Sequence, residues 1–256
     1  MLDSNPLASI TKGKKQLPPR IIIYGTEKIG KSTFAANAPN PIFLQTESGL
    51  DQIECASFPL ATTFSGLMAN VSSLIDGDHN FETAVLDSAD WTERLIHDHI
   101  CAESNAKSIE LAGGGYGKGY ALALGLWREL LACFDACRDR GMAIVMIAHS
   151  QIERFEDPDN PAYDRYSPKL HKKTSGPLVT EWADAVLFAT KKVRIDKEKT
   201  GFNRERSMAV PIGRSGGERI LRCVGGPTCV AGNRYNLPDE LSLDWNAFAE
   251  AMSASV

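Results

Sequence analysis

Short apolar runs alternate with longer stretches of helical spacing along most of this chain. RIIIYG at 20–25, PIFLQTE at 41–47, TAVLDS at 83–88, AIVMIAHS at 143–150 and AVLFAT at 185–190 are largely apolar segments of strand length. Between them SGLMANVSSLI, WTERLIHDHICAES, ALALGLWRELLACFDACRDR and PLVTEWA read as helices, and another helix begins near Lys31. Buried strands alternating with helices predict an α/β fold, a mainly parallel twisted sheet with helices on both faces. Beyond residue 205 the runs RSMAVPIG, ERILRCV and NRYNLP read as short strands and turns, a C-terminal antiparallel edge. Two segments break the alternation. LAGGGYGKGY at 111–120 is too rich in glycine for regular structure, and Gln151 to Lys173, with Pro158, Pro161 and Pro168, shows no clear period and predicts a long loop. No repeat or linker divides the chain, so the expectation is one domain over 18–256 behind a flexible N-terminal arm over 1–17.

Composition narrows the classes. Hydrophobic residues make up 43% and charged residues 23%, as in ordinary globular chains. No apolar run approaches the roughly 20 residues of a membrane-spanning helix, and the N-terminus lacks a signal-peptide core. The expected location is cytoplasmic, with no membrane partner. The six cysteines have no CxxC spacing and no adjacent histidine, so they read as reduced, mostly buried side chains. His97 and His99, two apart on a helix, share no face and read as surface residues. A net charge of −4 argues against a protein that coats nucleic acid by bulk charge. One stretch is locally basic: Lys191, Lys192, Arg194, Lys197, Lys199, Arg204 and Arg206 face only Asp196, Glu198 and Glu205. It fits a DNA-binding face or a solvated charged hairpin equally well.

The chemistry concentrates at the first strand's end. GTEKIGKS fits the phosphate-loop pattern G-x-x-x-x-G-K-[ST], with a strand before it and a helix after it. Gly25, Thr26, Glu27, Lys28, Ile29, Gly30, Lys31, Ser32 and Thr33 therefore form the expected nucleotide-binding segment. Its backbone N–H groups would cradle phosphates at a helix N-terminus. Lys31 would reach the β- and γ-phosphates and Ser32 would hold Mg²⁺. Asp87, ending TAVLDS, supplies the carboxylate that a phosphate-bound metal needs, partly through water. Glu47 ends the second strand. It reads as the residue that aims the attacking water, or else as a carboxylate starting a helical turn in ESGLDQI. The catalytic role is favoured because a lone acid at the sheet's carboxyl edge lies beside the ligand crevice.

The position after Asp87 is Ser88, whereas in AAA+ type ATPases the water-activating glutamate usually follows the metal aspartate directly. Glu47 on the neighbouring strand end instead resembles the RecA-like ATPases. The resemblance implies a RecA-like P-loop NTPase core and extends over most of the chain. It makes His149, ending AIVMIAHS, a sensor of the γ-phosphate. It puts LAGGGYGKGY and QIERFEDPDNPAYDRYSPKLHKKTSG in the places of two DNA-binding loops, with Tyr116, Lys118, Arg165, Lys169, Lys172 and Lys173 as candidate contacts. AGNRYNLP resembles the KNRxG segment of RecA-like and hexameric-helicase motors. Arg234 matches the arginine that reaches a neighbouring subunit's nucleotide, but Gly232 and Asn236 replace the lysine and glycine. Arg234 thus reads as a finger acting in trans or as a residue of a surface turn.

The chain is most similar to small phage-encoded RecA-core ATPases that act in single-strand annealing or recombination. That likeness rests on YDRYSPKLHKKTSGPLVTEWADAVLFA and GERILR…GNRYNLP. It implies a DNA-stimulated ATPase using ATP and Mg²⁺, with single-stranded DNA, further copies of the chain in a ring or filament, and a single-strand-binding protein as partners. If the chain is phage-encoded, its compartment would be the bacterial host cytoplasm. The alternatives are a nucleotide-switched loader, a helicase-like motor and, with no compact lid in the sequence, a P-loop small-molecule kinase.

Overall fold

The computed structural model describes residues 10, 12–13, 17–199, 205–213 and 217–254. Most of the expected arm over 1–17 lies outside the described residues, as do Arg204 and the side chains of Lys197, Lys199 and Arg206 in the basic stretch. Twelve strands and six α-helices are described. In chain order they are β1 Arg20–Gly25, α1 Lys31–Ala36, β2 Pro41–Gln45, β3 Ala56–Ser57, α2 Phe64–Asp76, β4 Thr83–Asp87, α3 Ala89–Glu103, α4 Lys118–Asp139, β5 Ala143–Phe155 and β6 Tyr163–Pro168. They continue with α5 Ser175–Trp182, β7 Ala185–Lys191, β8 Val193–Lys199, β9 Glu205–Pro211, β10 Arg219–Arg222, β11 Gly232–Asn233, β12 Glu240–Ser242 and α6 Trp245–Ala254.

The main sheet runs β12-β10-β7-β1-β5-β4-β2-β3. From β7 to β3 every neighbour is parallel, while β10 and β12 add an antiparallel edge. Alternation within β1 explains the two-sided core. Ile22 and Tyr24 face a cluster with α2, α3, α4 and α5, whereas Ile21 and Ile23 face one with α1 and α6. The mixed α/β fold with a mostly parallel sheet is the one the hydrophobic pattern predicts.

Four expectations are corrected. Gln151–Lys173 is not a long loop: β5 runs on to Phe155 and pairs antiparallel with β6, from Ser150↔Pro168 to Phe155↔Tyr163. The segment alternates between half-buried and exposed positions from Gln151 to Phe155, a weak two-residue period masked by its polarity. LAGGGYGKGY is irregular only at first, since Lys118 already opens α4. A helix, α6, follows the short C-terminal strands. Trp245 and Phe248 on it meet Phe34 of α1, with ring centroids 5.2 and 6.0 Å apart, and Asp244 Oδ1 accepts the Ala247 N–H at 3.0 Å. His97 is also not a plain surface residue, because its ring packs edge-on against Tyr120, which in turn stacks on His171.

At the amino-terminal edge of the sheet a buried carboxylate ties three elements together. Asp184, only 6% exposed, meets Arg20 and Arg138 at 3.0 Å each and Arg234 at 3.0 Å. Burial alone would raise its pKa, but hydrogen bonds from Arg20 and the charges of Arg20 and Arg138 hold it below the ordinary value. Asp184→Ala leaves the mostly buried Arg138 without a carboxylate and Arg20 with only the half-exposed Asp135. The expected cost is about 3 kcal/mol, a drop in thermal midpoint of roughly 6–12 °C by calorimetry. Because the folded pKa is depressed, this stabilisation is complete above the unfolded value of about 3.9 and is lost as pH falls through the lower folded value. Wild type and variant should therefore converge in acid, and equal midpoints at neutral pH would show the network to be inconsequential.

Candidate functional site

β1 delivers the chain to the carboxyl edge of the sheet at Gly25. A Cβ there would fall 2.3 Å from the Ala189 carbonyl oxygen of β7, so a side chain would break the β1–β7 pairing. The next residues turn outward, and buried Ile29 pins the turn to the core. Gly30 adopts φ 114, left-handed backbone suited to glycine, and α1 starts at Lys31. Lys31 is buried, its Nζ donating to the carbonyls of Gly25 at 3.1 Å and Thr26 at 2.9 Å. Ser32 Oγ donates to Asp87 Oδ2 at 2.7 Å. The phosphate loop and the end of β4 are thus joined by a side-chain hydrogen bond.

A second link positions the other carboxylates. Thr46 Oγ1 donates to the Ser88 carbonyl at 2.8 Å and accepts the Ser88 N–H at 2.9 Å, while the Thr46 N–H reaches the Asp87 carbonyl at 2.8 Å. These bonds extend the β2–β4 alignment past the strands and set Glu47 beside Asp87. Asp90, in the first turn of α3, accepts the His149 N–H at 3.0 Å and faces His149 Nδ1 at 3.0 Å. The Ser88 hydroxyl lies near Glu47 and Asp90 and favours their charged forms, but it is buried without a partner in hydrogen-bond geometry.

Charge controls the protonation of this group. Burial raises the pKa of Glu47 and of Asp87 above the ordinary carboxylate value; Ser32 and Lys31 oppose the shift at Asp87. Burial lowers that of Lys31 against the pull of Asp87, Asp90 and Glu47. His149 is raised, chiefly by its hydrogen bond to Asp90. Burial works against the Asp90 carboxylate, but the His149 bonds prevail and lower its pKa. His149 and Asp90 are thus a hydrogen-bonded pair in which each favours the charged form of the other.

Lys28, Gly30, Lys31, Ser32, Thr33, Glu47, Asp87 and His149 line one cleft. Gly25 and Thr26 hold Lys31 from below, and Glu27 is exposed but close enough to favour the charged form of Lys31. The donors fit a magnesium nucleotide. Ser32 Oγ would hold the metal with Asp87 one hydrogen bond behind, and the loop N–H groups with Lys31 would hold the phosphates. Among the described residues no three His, Cys, Asp or Glu side chains converge on a metal. A magnesium ion here would therefore depend on Ser32 and on the nucleotide's own oxygens.

Three residues of the site escaped the sequence reading: Thr46, Asp90 and Arg219, which lines the cleft from β10. Only Asp90 left a signal, an acid at the start of a helix just after a strand-end aspartate. Arg234 does not join the cleft. It lies at the opposite sheet edge, with its side chain 60% exposed and bound to Asp184 and to the Glu181 carbonyl. The six DNA candidates also divide. Arg165 is paired with Glu153 at 2.8 Å and covers the Phe155 ring at 4.1 Å. Tyr116 is fully exposed at φ 54, Lys118 is exposed at the start of α4, and Lys169, Lys172 and Lys173 are exposed just beyond β6.

The comparisons agree with this chemistry. The family model described as AAA domain matches residues 17–235, most of the chain, and the chain belongs to that family. It is also similar to the SPbeta prophage-derived uncharacterized protein YorG of Bacillus subtilis (strain 168). The two are 22% identical over 189 residues, covering 72% of this chain and 54% of YorG. The chain thus spans about half the length of that relative. Membership supports nucleotide hydrolysis, with magnesium as the usual companion. No helix among the described residues is long and apolar enough to cross a membrane.

Glu47→Gln should retain ATP binding while turnover falls roughly 10²–10⁴-fold, the usual contribution of a positioned base. As a base Glu47 would work deprotonated, and because burial raises its pKa, wild-type turnover should then decline on the acid side at a higher pH than an ordinary glutamate would give. A variant with wild-type turnover would remove Glu47 from the reaction.

Proposed function

We propose that this member of the AAA domain family is a RecA-type, Mg²⁺-ATP-dependent protein that binds single-stranded DNA and promotes recombination or annealing. Hydrolysis would occur at contacts between copies of the chain. Lys31 and the loop amides would bind the phosphates and Glu47 would take a proton from the attacking water. His149, oriented by Asp90, would sense whether the γ-phosphate is present.

The observation that carries the proposal is the continuity of β5. One strand bears His149 at the cleft and then becomes the first arm of the β5–β6 hairpin. The hairpin returns to the same residue, since the Lys169 N–H donates to the His149 carbonyl at 2.8 Å. A second path runs along α3. Asp90 on its first turn holds His149, and Glu93, one turn on, accepts the His171 N–H at 3.0 Å and the Ser175 hydroxyl. A change at His149 would therefore reach exposed Lys169, Lys172 and Lys173 through hydrogen bonds on both sides. Exposed lysines at the base of the hairpin, just beyond β6, suit phosphate contacts to a single strand. The prophage origin of YorG fits a phage DNA role. Arg234 would act in trans only by leaving Asp184, which keeps Arg20 and Arg138 when it goes.

Hydrolysis should rise when single-stranded DNA is added to wild type, and Lys31→Ala should hydrolyse at neither condition. The double substitution Lys172→Ala, Lys173→Ala should weaken DNA binding and lower the salt slope by about 0.7 per lost phosphate contact. If hydrolysis and DNA binding are both indifferent to each other, the DNA reading is lost. Phosphorylation of a metabolite in place of hydrolysis would favour a kinase.

A further inference from the structure

We infer that Arg219 clamps the nucleotide's phosphate chain from within the same subunit, on the side of the cleft opposite Glu47 and Asp87; this rests on the nucleotide-binding reading above. Topology sets the two sides. β5, β4 and β2, on one flank of β1, carry His149, Asp87 and, just past its end, Glu47. β7 and then β10 lie on the other flank, and β10 begins with Arg219. Its antiparallel pairing with β7, Arg219 opposite Lys191, brings that first residue to the carboxyl edge where the phosphate loop lies.

The side chain is turned to the loop. Arg219 Nη1 lies 3.2 Å from where a Cβ on Gly30 would stand, and Leu243 Cδ2 closes the same spot at 3.5 Å. The β10 backbone is anchored there by the Leu243 N–H, which donates to the Arg219 carbonyl at 3.1 Å. Arg219 lines the cleft together with Gly30, Lys31, Ser32 and Thr33. Other arginines near the sheet are committed: Arg20, Arg138 and Arg234 to Asp184, and Arg222 to Thr228 and Glu240. Among the described residues no carboxylate pairs with Arg219, so its fork of donors remains free for a ligand.

A polyphosphate supplies the matching charge. Glu47, Asp87 and Asp90 crowd one side of the cleft, and a triphosphate placed against them needs cationic compensation. Guanidinium groups bind phosphate oxygens bidentately. Because Arg219 sits over Gly30, away from the carboxylates that would flank the γ-phosphate, it would touch phosphates common to ATP and ADP. It is a binding residue and not a base.

The test is titration of ATP and ADP into wild type, Arg219→Ala, Arg219→Lys and Lys31→Ala, with steady-state hydrolysis alongside. Arg219→Ala should lose roughly ten-fold in affinity for both nucleotides, the loss of one charge-assisted contact. KM for ATP should rise by a similar factor with kcat nearly unchanged, and Arg219→Lys should recover part of the affinity. Arg219 is exposed, so the thermal midpoint should not move. If Arg219→Ala binds both nucleotides as wild type does while Lys31→Ala fails, the clamp is overturned and the nucleotide site stands. Loss confined to ATP would also overturn it, placing the contact at the γ-phosphate. If wild type binds neither nucleotide, the nucleotide reading itself falls.

Discussion

The reciprocal hydrogen bonds between Thr46 and Ser88 hold the candidate site together. Parallel pairing aligns β2 with β4 only as far as Gln45 and Asp87. Beyond that point two chains would ordinarily diverge into separate loops. Thr46 instead satisfies both backbone groups of Ser88 with one hydroxyl, so the chain ends remain side by side for another residue. Glu47 and Asp87 become neighbours through that arrangement, and Ser32 joins Asp87 from the phosphate loop. The buried Ser88 N–H gains its partner in the same step, while the Ser88 carbonyl also accepts from Thr92.

Such closeness has an electrostatic cost. Glu47, Asp87 and Asp90 each oppose ionisation of at least one of the others, and burial penalises every one of them. Lys31 and His149 offset part of it, with His149 committed to Asp90. Lys31 meanwhile donates to neutral carbonyls, so its charge is not consumed by a direct ion pair. This leaves an acid-rich cleft with a buried ammonium at its base, an environment suited to a metal-bound polyanion. The free guanidinium of Arg219 extends the cationic side, while Arg234 serves the amino-terminal edge of the sheet within its own chain.

The fold and half of the site could be read along the chain because their signals are local. A buried parallel strand writes a continuous apolar run, and the phosphate loop writes its glycines, lysine and serine at fixed spacing. Asp87, Glu47 and His149 were legible for one shared reason, each being a polar residue at or just beyond the end of a core strand. The β5–β6 hairpin was hidden because a strand pair projecting into solvent needs no apolar face: Ile152 is exposed and Arg154 pairs with Asp164 at 3.5 Å. In α6, Trp245, Phe248, Ala249 and Met252 carry a helical period, but only over a single ten-residue helix that follows several short strands. Arg165 resembled a free DNA contact until the fold placed Glu153 and Phe155 against it.

The sequence by itself determined the α/β alternation, the phosphate loop and the order in which strand ends present their polar residues, since each depends on neighbours within one element. Which of those ends would meet was decided only by the tertiary structure. Asp90 meets His149 across 59 positions of chain, Thr46 meets Ser88 across 42, and Arg219 reaches Gly30 from a strand two places away in the sheet. Contacts of that kind follow from strand order and register, and neither is written in the spacing of residues along any one segment.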